Sequence, residues 1–586
     1  RAAAMARPPA EASPLAPGFV APGRAHVRGT EDTPLLTSTI YGAFAAQARR
    51  RSEREALVVQ DCGVRLSFGE LQRRADGAAA GLAGLGVERQ SRVGVWMPNN
   101  AEWLVLQLAA ARLGAILVNV NPDYKVPELE YALNLVACSV LVLVPRSAHS
   151  DYAAMLHALC PELLRSGGAA GAACARVPAL RHAVAVGGDI PGAVPFGALG
   201  GDPGAREGAE SCDEPINIQF TSGTTGKPKA STLTHKGMLN NAYFLGQTMR
   251  YTENDVICVP VPLYHCFGCV MGNLAMVAHG CKLVYPAARF DALATLRAVV
   301  GERCTSLYGV PTMYIAMLDH PEFRNFTFEV LRTGIMAGAL CPVDTMQRVI
   351  GEMGAREVTI CYGMTETSPV SWQTRIGTSV ELACSTVGQI HPHAECKVVD
   401  PETFEVLPCG VPGELWTAGY LVMQGYWDNR DATDEAILHR DGQRWMRTGD
   451  LAVITEDGFC QIVGRIKDMI LRGGENIFPK EVEEPLIAHP DISNASVIGV
   501  PDPRLGEQVC AWIAWRGGAP APGAAAEEAA RGIREYLRER VAHFKVPAYI
   551  LFKDEFPLTV TGKIRKVEMR EISARELGLE VARSRL

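Results

Sequence analysis

Hydroxyls, glycines and cations make up nearly all of one short stretch, Thr221-Ser222-Gly223-Thr224-Thr225-Gly226-Lys227-Pro228-Lys229. The glycines let the backbone turn its amides toward one point, while the hydroxyls and two lysines add donors and positive charge. That chemistry suits a polyphosphate held in an anion-binding nest; a polar surface loop is the plain alternative. The apolar run Ile216 to Phe220 just ahead reads as a strand, so the loop opens where a strand ends. It is not a Walker loop, which needs four residues between its glycines and a hydroxyl directly after its lysine. Here two residues separate Gly223 from Gly226, and Pro228 follows Lys227.

Other clusters follow. Tyr362-Gly363-Met364-Thr365-Glu366 sets a carboxylate beside hydroxyls, an oxygen-rich group suited to a hard cation such as Mg²⁺. Thr448-Gly449-Asp450 offers a carboxylate able to accept two hydrogen bonds at once. Gly464-Arg465-Ile466-Lys467-Asp468 continues to Arg472-Gly473-Gly474-Glu475-Asn476-Ile477, by composition a charged, flexible linker. Near the end stands Pro557-Leu558-Thr559-Val560-Thr561-Gly562-Lys563-Ile564-Arg565-Lys566. In isolation Lys563 reads as a surface charge.

Taken in this order, the stretches resemble the motifs of the adenylate-forming superfamily: acyl-CoA synthetases, carrier-loading adenylation domains and firefly-type luciferases. The resemblance covers nearly all of the chain after residue 30 and is closest to the mitochondrial medium-chain acyl-CoA synthetases, family member 2 type. Asp213 to Phe220, Pro262 to Cys266, Gly309 to Met313 and Ala542 to Pro547 carry that finer likeness.

The resemblance implies a two-step ligase. A fatty acid and ATP give acyl-AMP and pyrophosphate; the thiol of coenzyme A then gives acyl-CoA and AMP. It makes 221–229 the phosphate loop and adds Gly338 and Ala339 to the nucleotide site. Tyr362 would pack near the adenine beside Gly363, Thr365 would contact phosphate, and Glu366 would take Mg²⁺. Asp450 would accept both ribose hydroxyls, and Arg465 would reach ribose or phosphate. Lys467 falls at the interdomain pivot, Gly473 and Gly474 at the pantetheine of CoA, and Lys563 at the adenylation lysine. His265 would gate the acyl pocket or orient the carboxylate, a core histidine being its alternative. That pocket would draw on Tyr264 to Gly272, Tyr308 to Tyr314 and Gly334 to Gly338. An adenylating enzyme for a carrier-protein thiol or an aryl acid is the second reading. Two departures stand out: Met446 where an aromatic is usual, and Ala230 where the family has glycine, which should strain that turn.

These residues need a scaffold that brings distant stretches together. Short apolar runs alternate with helical patterns: strands at Arg92 to Met97, Ala115 to Val120 and Ser139 to Val144, helices at Ala101 to Leu113 and Glu128 to Ala137. Such alternation predicts parallel sheets built from βαβ units. A second α/β block spans about 215–385, and 386–463 reads as a small β subdomain with strands at Ala394 to Val399 and Gly413 to Thr417. The expected fold is α/β: a large N-terminal domain over 31–463 with two sheet subdomains and the β subdomain, a hinge at 464–467, and a smaller, mobile α+β domain over 468–586.

At 586 residues the chain exceeds what one core usually serves. A net charge of -7 argues against a dedicated nucleic-acid binder. No apolar run reaches the length of a membrane span, and peripheral membrane contact stays open. The 17 cysteines are scattered and odd in number, as expected of reduced thiols. Residues 1–30 carry Arg1, Arg7, Arg24 and Arg28 against Glu11 alone, which suits a mitochondrial transit peptide.

Overall fold

A computed structural model describes residues 18–148, 150–165, 174–201, 211–221, 227–339, 341–558 and 564–579. Two large sheets form the N-terminal body. An eight-stranded sheet runs, in spatial order, Gly425–Tyr426, Lys229–Thr234, Pro215–Thr221, Ile116–Asn119, Arg92–Trp96, Val140–Leu143, His182–Ala185 and Val194–Pro195. From Pro215–Thr221 onward its pairings are parallel, and the hairpin Pro215–Thr221 with Lys229–Thr234 gives it an antiparallel edge. In the nine-stranded sheet, Thr333–Ala337 lies centrally between Ser306–Gly309 and Glu357–Gly363, all parallel.

The helix Ala101–Leu113 shows why the sheets stack. Asn100 caps its start by accepting from the Trp103 amide at 2.8 Å, and Gly114 closes its end at φ 65°. Its residues from Trp103 to Ala111 are all buried, as a helix apolar on nearly every face must be. One core cluster joins it to residues of both sheets, including Val95, Leu117, Leu283 and Ile335. The helix expected over Glu128 to Ala137 instead spans Val126–Leu135. Pro127 favours the earlier start, and Ala137, at φ 47°, cannot continue a right-handed helix.

The β subdomain is a seven-stranded sheet including Ala394–Val399, Gly413–Gly419, Gln443–Ile454 and Cys460–Arg465. It also takes Phe19–Val20 and His26–Arg28, from the stretch expected to be a leader. His26 Nε2 and Arg28 Nε lie 2.5 and 2.9 Å from the buried Glu395 carboxylate, so residues 19–28 belong to the folded unit. The C-terminal unit is a five-stranded sheet around the hairpin Ile492–Asp502 and Gly506–Trp515, covered by helices such as Pro479–Ile487, Ala524–Arg538 and Lys566–Glu576.

Cysteine chemistry departs from expectation at one place. Cys160 and Cys174 form a disulfide across 161–173, their Cα atoms 5.1 Å apart; the other 15 cysteines are free thiols. Among the described residues no helix is long and apolar enough to cross a membrane.

Candidate active site

The hairpin register pairs Thr221 with Lys229. Ser222, Gly223, Thr224, Thr225 and Gly226 lie outside the described residues. The flanking lysines rest on aromatic rings: Lys227 Nζ is 5.5 Å from the centre of Tyr131 and Lys229 Nζ 5.0 Å from that of Tyr426. Tyr131 also donates to the Pro228 carbonyl at 3.2 Å. Ala230 sits within the strand rather than a turn, 1% exposed, its methyl packed in the core and its carbonyl accepting from the Trp427 amide at 2.7 Å. The expected strain at this position is absent because extended backbone accommodates a Cβ.

Glu366 is 5% exposed, and its Oε1 accepts from the hydroxyls of Thr221 at 3.0 Å and Tyr426 at 2.9 Å. Burial and the Glu366 charge push the Tyr426 phenol well up, so it stays a donor. Among the described residues no cationic side chain pairs with Glu366. A buried carboxylate offset only by neutral hydroxyls is an oxygen site that fits a hard cation. No group of three acidic, His or Cys side chains gathers among the described residues, so a cation at Glu366 needs further oxygens from phosphate and water. Upstream, Gly363 is required by packing: a Cβ there would lie 1.8 Å from the Pro369 carbonyl oxygen.

Asp450 is shaped by its own triplet. Gly449 takes φ 67°, and the Thr448 hydroxyl accepts from the Asp450 amide at 3.1 Å while donating to the Leu415 carbonyl at 2.6 Å. The strands pair Asp450 with Arg465, whose Nε lies 2.8 Å from Oδ1, and Tyr362 donates to Oδ2 at 2.6 Å. The Asp450 charge holds the Arg465 guanidinium more firmly protonated; burial, then Asp450, pushes the Tyr362 phenol up. Met446, the departure noted above, is 2% exposed and packs into the main core.

Gly338 (φ 91°) and Ala339 follow directly on Thr333–Ala337, at the C-terminal end of a parallel strand, where ligands of open α/β sheets bind. His265 is half-buried; its Nδ1 accepts from the Phe267 amide at 3.2 Å. Next to it, Cys266 Sγ lies 3.9 Å from the Thr365 hydroxyl, which brings the two segments together.

Lys467 is exposed in the turn Ile466–Asp468. Just beyond, Lys480 of the C-terminal unit donates to the Ile462 carbonyl at 2.7 Å, and the Phe478 ring covers Gly464. Gly473 and Gly474, at φ 60° and 90°, form the two-residue turn between the paired Arg472 and Glu475. Left-handed backbone at both positions accounts for both glycines. Nothing lies within 4 Å of a Cβ built on Gly474, an open tip. Lys563 lies outside the described residues.

The structure thus joins Thr221 to Glu366, with Lys229 on the ring of Tyr426 that also bonds Glu366, and gathers Tyr362, Asp450 and Arg465 around another point. Sequence reasoning missed Tyr131 and Tyr426. Neither sits in a phosphate-binding pattern, and only the hairpin and the pairing of Ser231 with Tyr426 bring the latter to the loop.

Comparison with known proteins shows what the whole chain is similar to. A model of the AMP-binding enzyme family matches residues 44–427, and one of its C-terminal domain matches 481–563. The mitochondrial medium-chain acyl-CoA ligase ACSF2 of Danio rerio is 42% identical over 565 residues, covering 94% of this chain and 91% of that protein. The Homo sapiens protein of the same name is 37% identical over 570 residues, covering 95% and 91%. The crystal structure of the anthranilate CoA ligase AuaEII with anthranoyl-AMP superposes with a TM-score of 0.81 at 25% identity, covering 94% and 99%. ATP-bound MatB of Rhodopseudomonas palustris gives 0.78 at 27%, covering 92% and 100%. On the strength of these matches and of the site they surround, the chain belongs to the AMP-binding enzyme family.

Proposed function

We propose that the chain is an ATP-dependent ligase that joins a fatty acid, of medium chain length, to coenzyme A through an acyl-adenylate. The observation that carries this reading is the meeting of Thr221 and Glu366, which ties the phosphate loop to the buried carboxylate. The names of the Danio rerio and Homo sapiens relatives supply the acid class and CoA.

An acid and ATP repel one another, so the first step needs charge neutralisation and alignment more than proton transfer. The carboxylate oxygen attacks the α-phosphorus, and pyrophosphate leaves with the electron pair of the broken P–O bond. Lys227, Lys229 and the amides of 222–226 hold the β- and γ-phosphates, with Gly338 and Ala339 lining the nucleotide. Asp450 accepts from the ribose, and Tyr362 and Arg465 orient it. Glu366 is the residue that holds Mg²⁺, which when bound offsets phosphate charge. Lys563 bridges the acid and the α-phosphate, and His265 faces the incoming carboxylate. The C-terminal unit, 468–586, then turns about Lys467 and brings the Gly473–Gly474 tip toward pantetheine. The CoA thiolate attacks the acyl carbon, and AMP leaves carrying the oxygen that came from the acid.

Residence in the mitochondrion is part of this reading, supported by the compartment in the relatives' names.

Pyrophosphate release from ATP, measured over short to long acids with and without CoA, tests the proposal. Acid-dependent release coupled to thioester formation supports it. Release with no thioester points to a carrier-loading enzyme, and no release with any acid overturns it.

A further inference from the structure

A seam of buried amides runs behind the proposed acyl pocket. Gln219 donates to Asn217 Oδ1 at 2.8 Å, Asn217 to Asn119 Oδ1 at 2.8 Å, and Asn119 to the Tyr264 carbonyl at 2.9 Å. A second branch starts at Tyr285, whose hydroxyl donates to Asn273 Oδ1 at 2.5 Å. Asn273 in turn donates to Gln107 Oε1 at 2.8 Å, and Gln107 to the Cys269 carbonyl at 3.0 Å. All five amide residues are at most 5% exposed. Gln107 is the polar side chain in the buried middle of Ala101–Leu113, between Trp103 and Ala111. Burying so many amides is costly unless each is bonded, so the seam commits this region to one arrangement.

What the seam holds is unusual. Phe267–Gly272 is a π-helix, a widened turn found mostly as short bulges at functional sites. Around it three carbonyls are gripped from three elements: Tyr264 by Asn119, Cys269 by Gln107, and Met271 by the Tyr308 hydroxyl at 3.2 Å. Tyr308 is itself set by Tyr251, which donates to it at 3.1 Å and shares a 2.6 Å bond with Ser306. The Phe267 ring stacks on Tyr308, centres 5.7 Å apart.

We propose that Gln107, Asn119 and Tyr308 are positioning residues that set acyl-chain-length selectivity, by fixing the wide turn and hence the place of Phe267 as a pocket wall. This rests on the reading of Tyr264 to Gly272 and Tyr308 to Tyr314 as acyl-pocket segments. An apolar pocket separates neighbouring chain lengths only weakly, so a wall that shifts loses its discrimination.

The test compares kcat and KM for short to long straight-chain acids, and KM for ATP, in the full chain and three variants. Tyr308→Phe removes one hydroxyl and keeps the ring; Gln107→Leu keeps the volume. Each is expected to raise KM for the favoured acid about tenfold, the cost of a buried carbonyl losing its donor. Each should also flatten the length profile while leaving KM for ATP unchanged. Phe267→Ala should move the profile toward longer acids. An unmoved profile in Phe267→Ala overturns the pocket reading itself. A moved profile there, with equal losses for every acid in Tyr308→Phe, overturns the inference alone, whether or not Gln107→Leu folds.

Discussion

The Tyr362 hydroxyl donates to Asp450 Oδ2 at 2.6 Å, while Arg465 Nε lies 2.8 Å from Oδ1 of the same carboxylate. In the proposed ribose-binding role, Asp450 would act with both oxygens oriented and one lone pair on each still free. Tyr362→Phe should raise KM for ATP roughly tenfold with little change in kcat, since a hydrogen bond to a charged group contributes about 1.5–3 kcal/mol. Asp450→Ala removes the acceptor and leaves Arg465 uncompensated, and should cost more in both parameters. Steady-state kinetics against ATP separate the two; equal effects would remove Tyr362 from this role.

Glu366 is held by two neutral hydroxyls, which Glu366→Gln can still bond. The variant should fold and melt near the wild type, need more Mg²⁺ for half-maximal rate, and lose on the order of 10²–10³ in kcat. Titrating pyrophosphate release against Mg²⁺ checks this. An unaltered Mg²⁺ requirement would place the cation elsewhere.

Ala230 packs its methyl in the core. Ala230→Gly should therefore destabilise the chain by about 1–2 kcal/mol, from one lost apolar group and a looser strand. Turnover should stay the same. Chemical denaturation and kcat measured together check it, and faster turnover would revive the strained-loop expectation.

Burial pushes the Glu395 carboxyl up, but hydrogen bonds and charge from His26 and Arg28 overrule it and hold it at about 2. A depressed carboxyl stabilises the fold above its unfolded value near 4.3 and loses that contribution as pH falls toward 2. A chain starting at residue 31 should melt lower than one starting at 18 at neutral pH, and the gap should narrow between about pH 5 and pH 2. Melting curves over that range test it; a gap that stays constant would deny the ion cluster its part.

The parallel architecture was legible because Val, Ile and Leu runs such as Val140–Leu143 report burial directly. The triplet Thr448-Gly449-Asp450 was legible because each residue has a local task in the turn. Tyr426 and the amides Gln107, Asn119 and Asn217 were not. Their partners lie far along the chain, Gln107 and Cys269 being 162 residues apart, and nothing local marks a polar side chain that a distant element will satisfy. Ala230 was misread for a related reason: the motif suggested a turn, and only strand pairing shows extended backbone there.

The central claim is that an acyl-adenylate forms in this site, and its most direct test follows the oxygen atoms. A fatty acid labelled with ¹⁸O in its carboxylate is turned over with ATP and CoA, and the AMP is weighed by mass spectrometry. The account predicts AMP carrying one ¹⁸O per acyl-CoA formed. Unlabelled AMP beside labelled inorganic phosphate would contradict it.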